Sequence, residues 1–135
     1  MREMGGLGRR SDVGQNIRLL IVDDEKEFLA ALARRLVLRG FDVTTASTGE
    51  EAKELARKES FDLALVDLVM PGITGETLLE DLKREHQLIE VIVLTGHNSP
   101  EKAEACTRAG AFRYLQKPID HDELADAASG GVQQF

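Results

Sequence analysis

The stretch from Asp62 to Gly72 has the sequence DLALVDLVMPG, in which four apolar residues run unbroken into Asp67. A strand that is apolar at every position has no face suited to water. It therefore belongs in the centre of a parallel sheet that helices cover on both sides. The Pro-Gly pair indicates a loop beyond the strand. This stretch thus predicts a buried central strand with a carboxylate at its carboxyl end.

Similar apolar runs occur on both sides of this stretch and alternate with segments whose apolar residues recur at helical spacing. Because consecutive parallel strands need right-handed crossovers, this alternation predicts an open, doubly wound α/β sheet with helices on both faces. The predicted strands are Arg18–Val22, Asp42–Ala46, Leu63–Asp67, Val91–Thr95 and Arg113–Gln116.

The predicted helices carry recognisable stop signals. In the first helix, Leu29, Leu32 and Leu36 form an apolar stripe, and Gly40 follows the last turn, where a left-handed residue is common. In the fifth helix, the sequence Ser-Gly-Gly at 129–131 predicts an early end.

The length of 135 residues and the 42% hydrophobic content fit one compact domain. We expect a flexible N-terminal extension at residues 1–16, the folded domain at 17–129 and a C-terminal tail at 130–135. The net charge of -7 disfavours direct nucleic-acid binding, which depends on Lys and Arg neutralising phosphates.

The cysteine content and the hydropathy of the sequence predict the cellular compartment of the protein. The single cysteine, Cys106, excludes an internal disulfide and suits a reducing environment. No apolar run approaches the roughly 20 residues needed to cross a bilayer. These features predict a cytoplasmic protein that does not contact membranes, with Cys106 as a small core residue.

Polar residues follow four of the predicted strands: Asp23 and Asp24, Asp67, Thr95, and Lys117. In doubly wound sheets, ligands bind outside the carboxyl ends of the strands, so these side chains should share one crevice. Crowded carboxylates repel one another unless a hard cation such as Mg²⁺, or Mn²⁺ as a substitute, binds between them.

A metal site that is open on one side could also hold a phosphoryl group. The Lys117 ammonium and the Thr95 hydroxyl could donate to its oxygens. Asp67 is then the candidate nucleophile, since aspartate can form an aspartyl phosphate. Taken singly, each residue has a plainer explanation: an Asp pair often caps a helix, and a Lys-Pro pair often only marks a strand exit. Their shared position at the strand ends favours the functional interpretation.

In this order and spacing, the residues resemble the receiver domains of two-component response regulators. The resemblance spans about Arg18 to Ala128 and implies a flavodoxin-like (βα)5 fold with strand order 2-1-3-4-5. Four segments carry it: LIVDDE at 20–25, DLALVDLVMPGITG at 62–75, VIVLTG at 91–96 and YLQKP at 114–118.

The resemblance also implies roles for individual residues. Asp67 would be phosphorylated by a partner histidine kinase, a phosphotransfer protein or a small phosphodonor. Asp24 and Asp67 would bind Mg²⁺ directly, Asp23 would act through a coordinated water, and Val69 would contribute its backbone carbonyl. Lys117 would stabilise the phosphoryl group and precede a cis peptide bond.

Other implied roles concern the response to phosphorylation. Thr95 would move toward the phosphoryl group and Tyr114 would turn inward with it, while Gly96 leaves room beside the threonine. Val69 and His97 would set the lifetime of the acyl phosphate. Helix 4, strand 5 and helix 5 would form the surface that controls a partner or output domain, or that joins two copies as a homodimer. The domain would catalyse only its own phosphorylation and dephosphorylation.

Two alternatives remain at this point. A magnesium-dependent phosphatase with an aspartyl nucleophile would share the sheet and the acidic strand ends. Such enzymes normally carry a second aspartate two residues after the nucleophile, where this chain has Val69. The other alternative is an interaction module with the same fold that never takes up phosphate.

Overall fold

A computed structural model of the protein describes residues 16–96 and 99–133, which form a five-stranded parallel sheet flanked by helices. The strands are β1 (Arg18–Val22), β2 (Asp42–Ala46), β3 (Leu63–Val66), β4 (Glu90–Thr95) and β5 (Arg113–Gln116). The helices are α1 (Lys26–Leu38), α2 (Gly49–Lys58), α3 (Gly75–Glu85), α4 (Pro100–Arg108) and α5 (His121–Gln133).

The strand order is β2-β1-β3-β4-β5, as predicted, and every neighbouring pair is parallel. In the registers, Val22 of β1 pairs with Val66 of β3, and Val66 pairs with Val93 of β4. The carboxyl ends of the central strands therefore lie side by side at one edge of the sheet.

The sheet separates two apolar layers. Ala64 and Val66 of β3 face one layer, which includes buried residues of α2, α3 and α4. Leu63 and Leu65 face the other layer, which includes buried residues of α1 and α5. All four β3 residues are at most 1% exposed. The predicted burial of this strand on both faces is confirmed.

Strand boundaries differ from the prediction by one residue in two places. β3 ends at Val66 instead of Asp67, and β4 begins at Glu90 instead of Val91. The backbone N–H of Asp67 still donates to the carbonyl of Val22 at 3.0 Å. The extended direction of the chain therefore continues into Asp67, which keeps its side chain at the end of the strand.

Helix α1 ends as predicted. Gly40 has a φ of 97°, a left-handed conformation that glycine adopts without steric cost. The Phe41 N–H donates to the Leu36 carbonyl at 3.1 Å, and the Gly40 N–H donates to the Val37 carbonyl at 3.0 Å. These two bonds satisfy carbonyls of the last turn in a Schellman motif.

Helix α5 does not end early, so the prediction of a stop at residues 129–131 was wrong. Glycine costs about 1 kcal/mol relative to alanine inside a helix. That cost is small beside the burial of Leu124, Ala125 and Ala128, each fully excluded from solvent. The buried face holds α5 on the sheet, and the helix continues to Gln133.

The proposed extension at residues 1–16 lies outside the described residues except for Asn16. The domain boundaries after residues 16 and 129 remain predictions. None of the helices in the described part of the chain has the length and apolar content needed to cross a bilayer.

Candidate functional site

Three carboxylates meet at the carboxyl edge of the sheet. Asp23, Asp24 and Asp67 each offer one oxygen, and these oxygens lie within 4.8 Å of one another. Asp23 and Asp67 are buried and Asp24 is exposed. The pairing of Val22 with Val66 places Asp23 beside Asp67, because each aspartate directly follows one of these paired residues. The predicted acidic cluster is therefore present in the structure.

Lys117 joins this cluster from the end of β5. Its ammonium donates to Asp23 Oδ2 at 2.7 Å and to Glu25 Oε1 at 3.2 Å, and it lies 3.9 Å from Asp67 Oδ2. The backbone N–H of Lys117 donates to the Thr95 carbonyl at 2.8 Å. The Lys117–Pro118 peptide bond is cis. Lys117 thus lies where the sequence pattern placed it.

Two further residues contact the ammonium. Glu25, which directly follows the aspartate pair, accepts one of its hydrogen bonds. Phe28, in the first turn of α1, lies with its ring centroid 4.2 Å from Lys117 Nζ. We assigned neither residue a role from the sequence. A signal for their position was present, since both lie within the six residues that follow Val22 and so close to the same strand end.

Burial raises the pKa of the Asp67 carboxyl above its ordinary value. The positive charge of Lys117 acts in the opposite direction, as does the Val69 backbone N–H, which lies 3.4 Å from Asp67 Oδ1. The charges of Asp23 and Asp24 reinforce the increase. Asp67 therefore lies where a negative charge is costly until a cation binds nearby.

Burial alone would lower the pKa of Lys117, because desolvation disfavours the ammonium form. The hydrogen bond and the charge of Asp23 outweigh that effect, with further contributions from Asp67 and Glu25, so the pKa is raised. The lysine consequently remains positively charged in the site.

A cleft of about 300 Å³ opens onto these groups. Val69, whose surface is 47% exposed, stands beside Asp67 at this cleft. The cleft thus gives a small ligand access from solvent to the Asp67 carboxylate. Its lining residues are Asp24, Glu25, Asp67, Val69, Gly96 and Lys117.

The residues with predicted switch roles lie at different depths. Thr95 ends β4 and is fully buried, next to Gly96 of the cleft. Tyr114 on β5 packs against the apolar layer that contains Cys106. Burial raises the pKa of the Tyr114 hydroxyl, and the nearby Ser99 backbone acts in the opposite direction. His97 lies outside the described residues.

The donor set suits a hard divalent cation. Three carboxylates supply only oxygen, the ligand type that Mg²⁺ prefers, and a cation there would offset their mutual repulsion. Asp23 also accepts bonds from Lys117 and from the Glu25 N–H at 2.9 Å. Asp24 and Asp67 thus have more oxygen lone pairs free for direct coordination.

Comparison with known proteins identifies the family to which the chain belongs. Residues 19–129 match the family described as the response regulator receiver domain. The chain is 36% identical over 116 residues to the transcriptional regulatory protein GlrR of Escherichia coli, covering 86% of this chain and 26% of GlrR. The photosynthetic apparatus regulatory protein RegA of Rhodovulum sulfidophilum is 35% identical, covering 86% of this chain and 63% of RegA.

Solved structures match most of the chain. A CheY-like receiver domain protein from Methanospirillum hungatei superposes with a TM-score of 0.86 at 30% identity, covering 89% of this chain and 96% of that chain. A Burkholderia pseudomallei response regulator, with a phosphorylated aspartic acid and a calcium ion, gives a TM-score of 0.79 at 31% identity. That match covers 88% of this chain and 68% of the other.

Proposed function

The chain belongs to the response regulator receiver domain family, and on this basis we propose that Asp67 accepts a phosphoryl group in a magnesium-dependent reaction. The modified aspartate then acts as a signal by shifting the surface formed by α4, β5 and α5. The observation that carries the proposal is the convergence of three carboxylates and the Lys117 ammonium around one open cleft.

The transfer step requires little beyond these groups. A carboxylate oxygen of Asp67 attacks the phosphorus, and the bond from phosphorus to the donor breaks. The donor leaves with that electron pair: a histidine ring then takes up a proton, whereas an acyl donor leaves as its carboxylate. Charge spreads over the three equatorial oxygens in the transition state, where Lys117 can neutralise part of it and Thr95 can donate a hydrogen bond.

Bound Mg²⁺, or Mn²⁺ in its place, would supply the remaining positive charge and orient the phosphoryl oxygens. Asp24 and Asp67 would be direct ligands, Asp23 would act through a coordinated water, and the Val69 backbone carbonyl would complete the protein ligands. The phosphorylated aspartic acid and calcium ion of the Burkholderia relative support a cation beside the modified residue.

The donor would be a phosphohistidine on a histidine kinase or on a phosphotransfer protein, or a small acyl phosphate. An open cleft accommodates either kind of donor, because Asp67 is reached from solvent past Val69. Hydrolysis by a water molecule would return Asp67 to its carboxylate. Val69 and His97 would set the rate of that hydrolysis by controlling water access.

The aspartyl phosphate would carry close to two negative charges at the end of β3, in place of the single charge of the Asp67 carboxylate. Thr95 would shift toward the new oxygens, and Tyr114, which packs against the apolar layer that includes Cys106 of α4, would follow it. This change would alter the α4–β5–α5 surface, which either contacts a partner or joins two copies as a homodimer. The chain spans about a quarter of the length of GlrR, 26%. In such longer relatives, the same surface would control an output domain.

The test incubates the purified chain with Mg²⁺ and acetyl phosphate and follows intact mass. We expect a mass gain equal to one phosphoryl group. This gain should not occur when EDTA has removed the metal before the reaction, nor in Asp67→Asn. Asp62→Asn is the matched control, because Asp62 precedes β3 whereas Asp67 follows it. That variant should be phosphorylated like the wild type.

Two other outcomes of this experiment would support the interaction module or the phosphatase instead. No mass gain in the wild type would favour an interaction module that never takes up phosphate. Multiple turnovers on a generic phosphate ester, abolished in Asp67→Asn, would indicate a phosphatase.

A further inference from the structure

The ring of Phe28 lies against the ammonium group that the proposed reaction needs. Its centroid is 4.2 Å from Lys117 Nζ, well within the range of a cation–π interaction. The Lys117 side chain is only 14% exposed, so water competes weakly for the ammonium. A desolvated contact of this kind is stronger than one on an open surface.

The ring differs in kind from the other described contacts of the ammonium, which are all to carboxylates. Asp23 and Asp67 belong to the proposed metal site, so their charge balance changes when a cation binds or when Asp67 is esterified. Glu25 is exposed and could draw the lysine outward, away from Asp67. An aromatic ring changes neither charge nor ligands during such a cycle.

Phe28 is itself held in place. It packs against the apolar layer between the sheet and helices α1 and α5. Its ring also meets the ring of His121 edge to face, with centroids 6.1 Å apart and an interplanar angle of 81°. Since α1 and the first residue of α5 both fix the ring, it provides a stationary surface for a lysine side chain with many rotatable bonds.

We propose that Phe28 is a positioning residue that holds the Lys117 ammonium over the cleft, ready to meet the oxygens of the incoming phosphoryl group. This inference rests on the proposed phosphorylation of Asp67. Phe28 does not touch the reacting atoms in this scheme. It acts by keeping Lys117 near Asp67 when the carboxylates of the site turn to the metal.

The test compares ring-free and ring-keeping variants. Phe28→Leu should slow phosphorylation by acetyl phosphate roughly three- to tenfold, the rate equivalent of losing a partly desolvated cation–π contact. Phe28→Tyr keeps the ring and should stay within about twofold of the wild type. Phe112→Leu is the matched control, because Phe112 is another partly buried phenyl on the same apolar layer.

Two further measurements separate positioning from packing. The affinity for Mg²⁺ should be the same in wild type and Phe28→Leu, since the ring supplies no oxygen ligand. The ε-methylene protons of Lys117 should be shifted upfield by the ring in the wild type and in Phe28→Tyr, and this shift should vanish in Phe28→Leu. If Phe28→Leu does not fold, Phe28→Met serves as the second ring-free variant.

The inference is overturned if the ring-free variants react as fast as the wild type, if Phe28→Tyr is as slow as Phe28→Leu, or if the methylene shift is unchanged. A wild-type chain that gains phosphoryl mass in the same experiment shows that only the role of Phe28 has failed. A wild-type chain that gains no mass overturns the phosphorylation proposal and the role of Phe28 with it.

Discussion

Gly75, the first residue of α3, lies so close to Asp67 that no side chain fits between them. A methyl group on Gly75 would come within 2.5 Å of Leu68 Cα and closer still to the carbonyl oxygen of Asp67. The Gly75 N–H also donates to the Leu68 carbonyl at 3.0 Å. The backbone of the candidate phosphoacceptor therefore rests directly on the start of a helix.

We expect Gly75→Ala to lower the free energy of unfolding by about 1–3 kcal/mol, the usual range for overpacking. It should also slow phosphorylation, because α3 and Asp67 must move apart. Thermal unfolding and the rate of phosphoryl uptake measure the two effects. Gly96→Ala is the control for stability, since no atom of the described residues lies within 4 Å of a methyl group there. Equal stability of the two variants would contradict the proposed clash.

A second prediction concerns the cost of an ionised Asp67 without metal. The pKa of Asp67 is raised in the folded state, chiefly by burial, so protonation of this carboxyl stabilises the fold. That stabilisation is fully present when the pH is below the pKa of Asp67 in the unfolded chain. That stability is lost as the pH rises through the raised folded pKa. At neutral pH, Asp67→Asn should therefore be more stable than the metal-free wild type, by about 0.5–2 kcal/mol.

This advantage should shrink as the pH falls toward the pKa of Asp67 and reverse when Mg²⁺ is added, because the metal stabilises the chain that binds it. Thermal unfolding in EDTA and in excess Mg²⁺, at neutral and mildly acidic pH, gives all the required comparisons. A wild type that is more stable than the variant in EDTA at neutral pH would refute the prediction.

A third prediction concerns the ion pair between α2 and α3. Lys53 Nζ lies 2.9 Å from Asp81 Oδ2, with the two side chains 20% and 14% exposed. The hydrogen bond from Lys53, followed by that from Arg84, holds the pKa of Asp81 below its ordinary value. The stability from this group is therefore present above the unfolded pKa and lost as the pH falls through the lowered folded pKa.

Asp81→Asn should lower the free energy of unfolding by about 1 kcal/mol at neutral pH. The difference should disappear in acid, where the wild type loses the same interaction. Denaturant unfolding across that pH range measures it. Glu54→Gln is the matched control, because its partner Arg57 lies on the same helix and both side chains are 56% exposed. A difference that persists in strong acid would rule out the ion pair as its cause.

A fourth prediction uses the glycine that failed to stop α5. Gly130 lies inside the helix, and a methyl group there would meet no atom within 4 Å in the part of the chain that the structure describes. Gly130→Ala should stabilise the protein by about 0.5–1 kcal/mol, since alanine loses less backbone entropy in a helix. Gly110→Ala is the contrasting control and should destabilise, because Gly110 has a φ of 107°. If Gly130→Ala destabilised the chain, the helical assignment at this position would be wrong.

The sequence predicted the sheet well because its central strands are unambiguous. The unbroken apolar runs that end at Val22, Val66 and Leu94 could not be amphipathic helices, and each leads into a polar residue at the same edge. Their order followed from the resemblance to a family, and the parallel registers then brought Asp23 and Asp67 together.

The errors have physical causes. The end of α5 depended on tertiary packing of Leu124 and Ala128, which outweighs the low helix propensity of two glycines. The role of Phe28 depended on the direction of one ring toward a lysine 89 positions further along the chain. Local sequence patterns do not contain that kind of information.

The bond between Lys117 and Asp23 joins residues 94 positions apart. Closing a loop of this length has an entropic cost. That cost is offset only when the strands between the two residues have formed. A nascent or truncated chain that lacks β5 would leave its acidic residues without their counter-charge. Asp67 should therefore become able to accept a phosphoryl group only late in folding, after the chain has folded through Lys117.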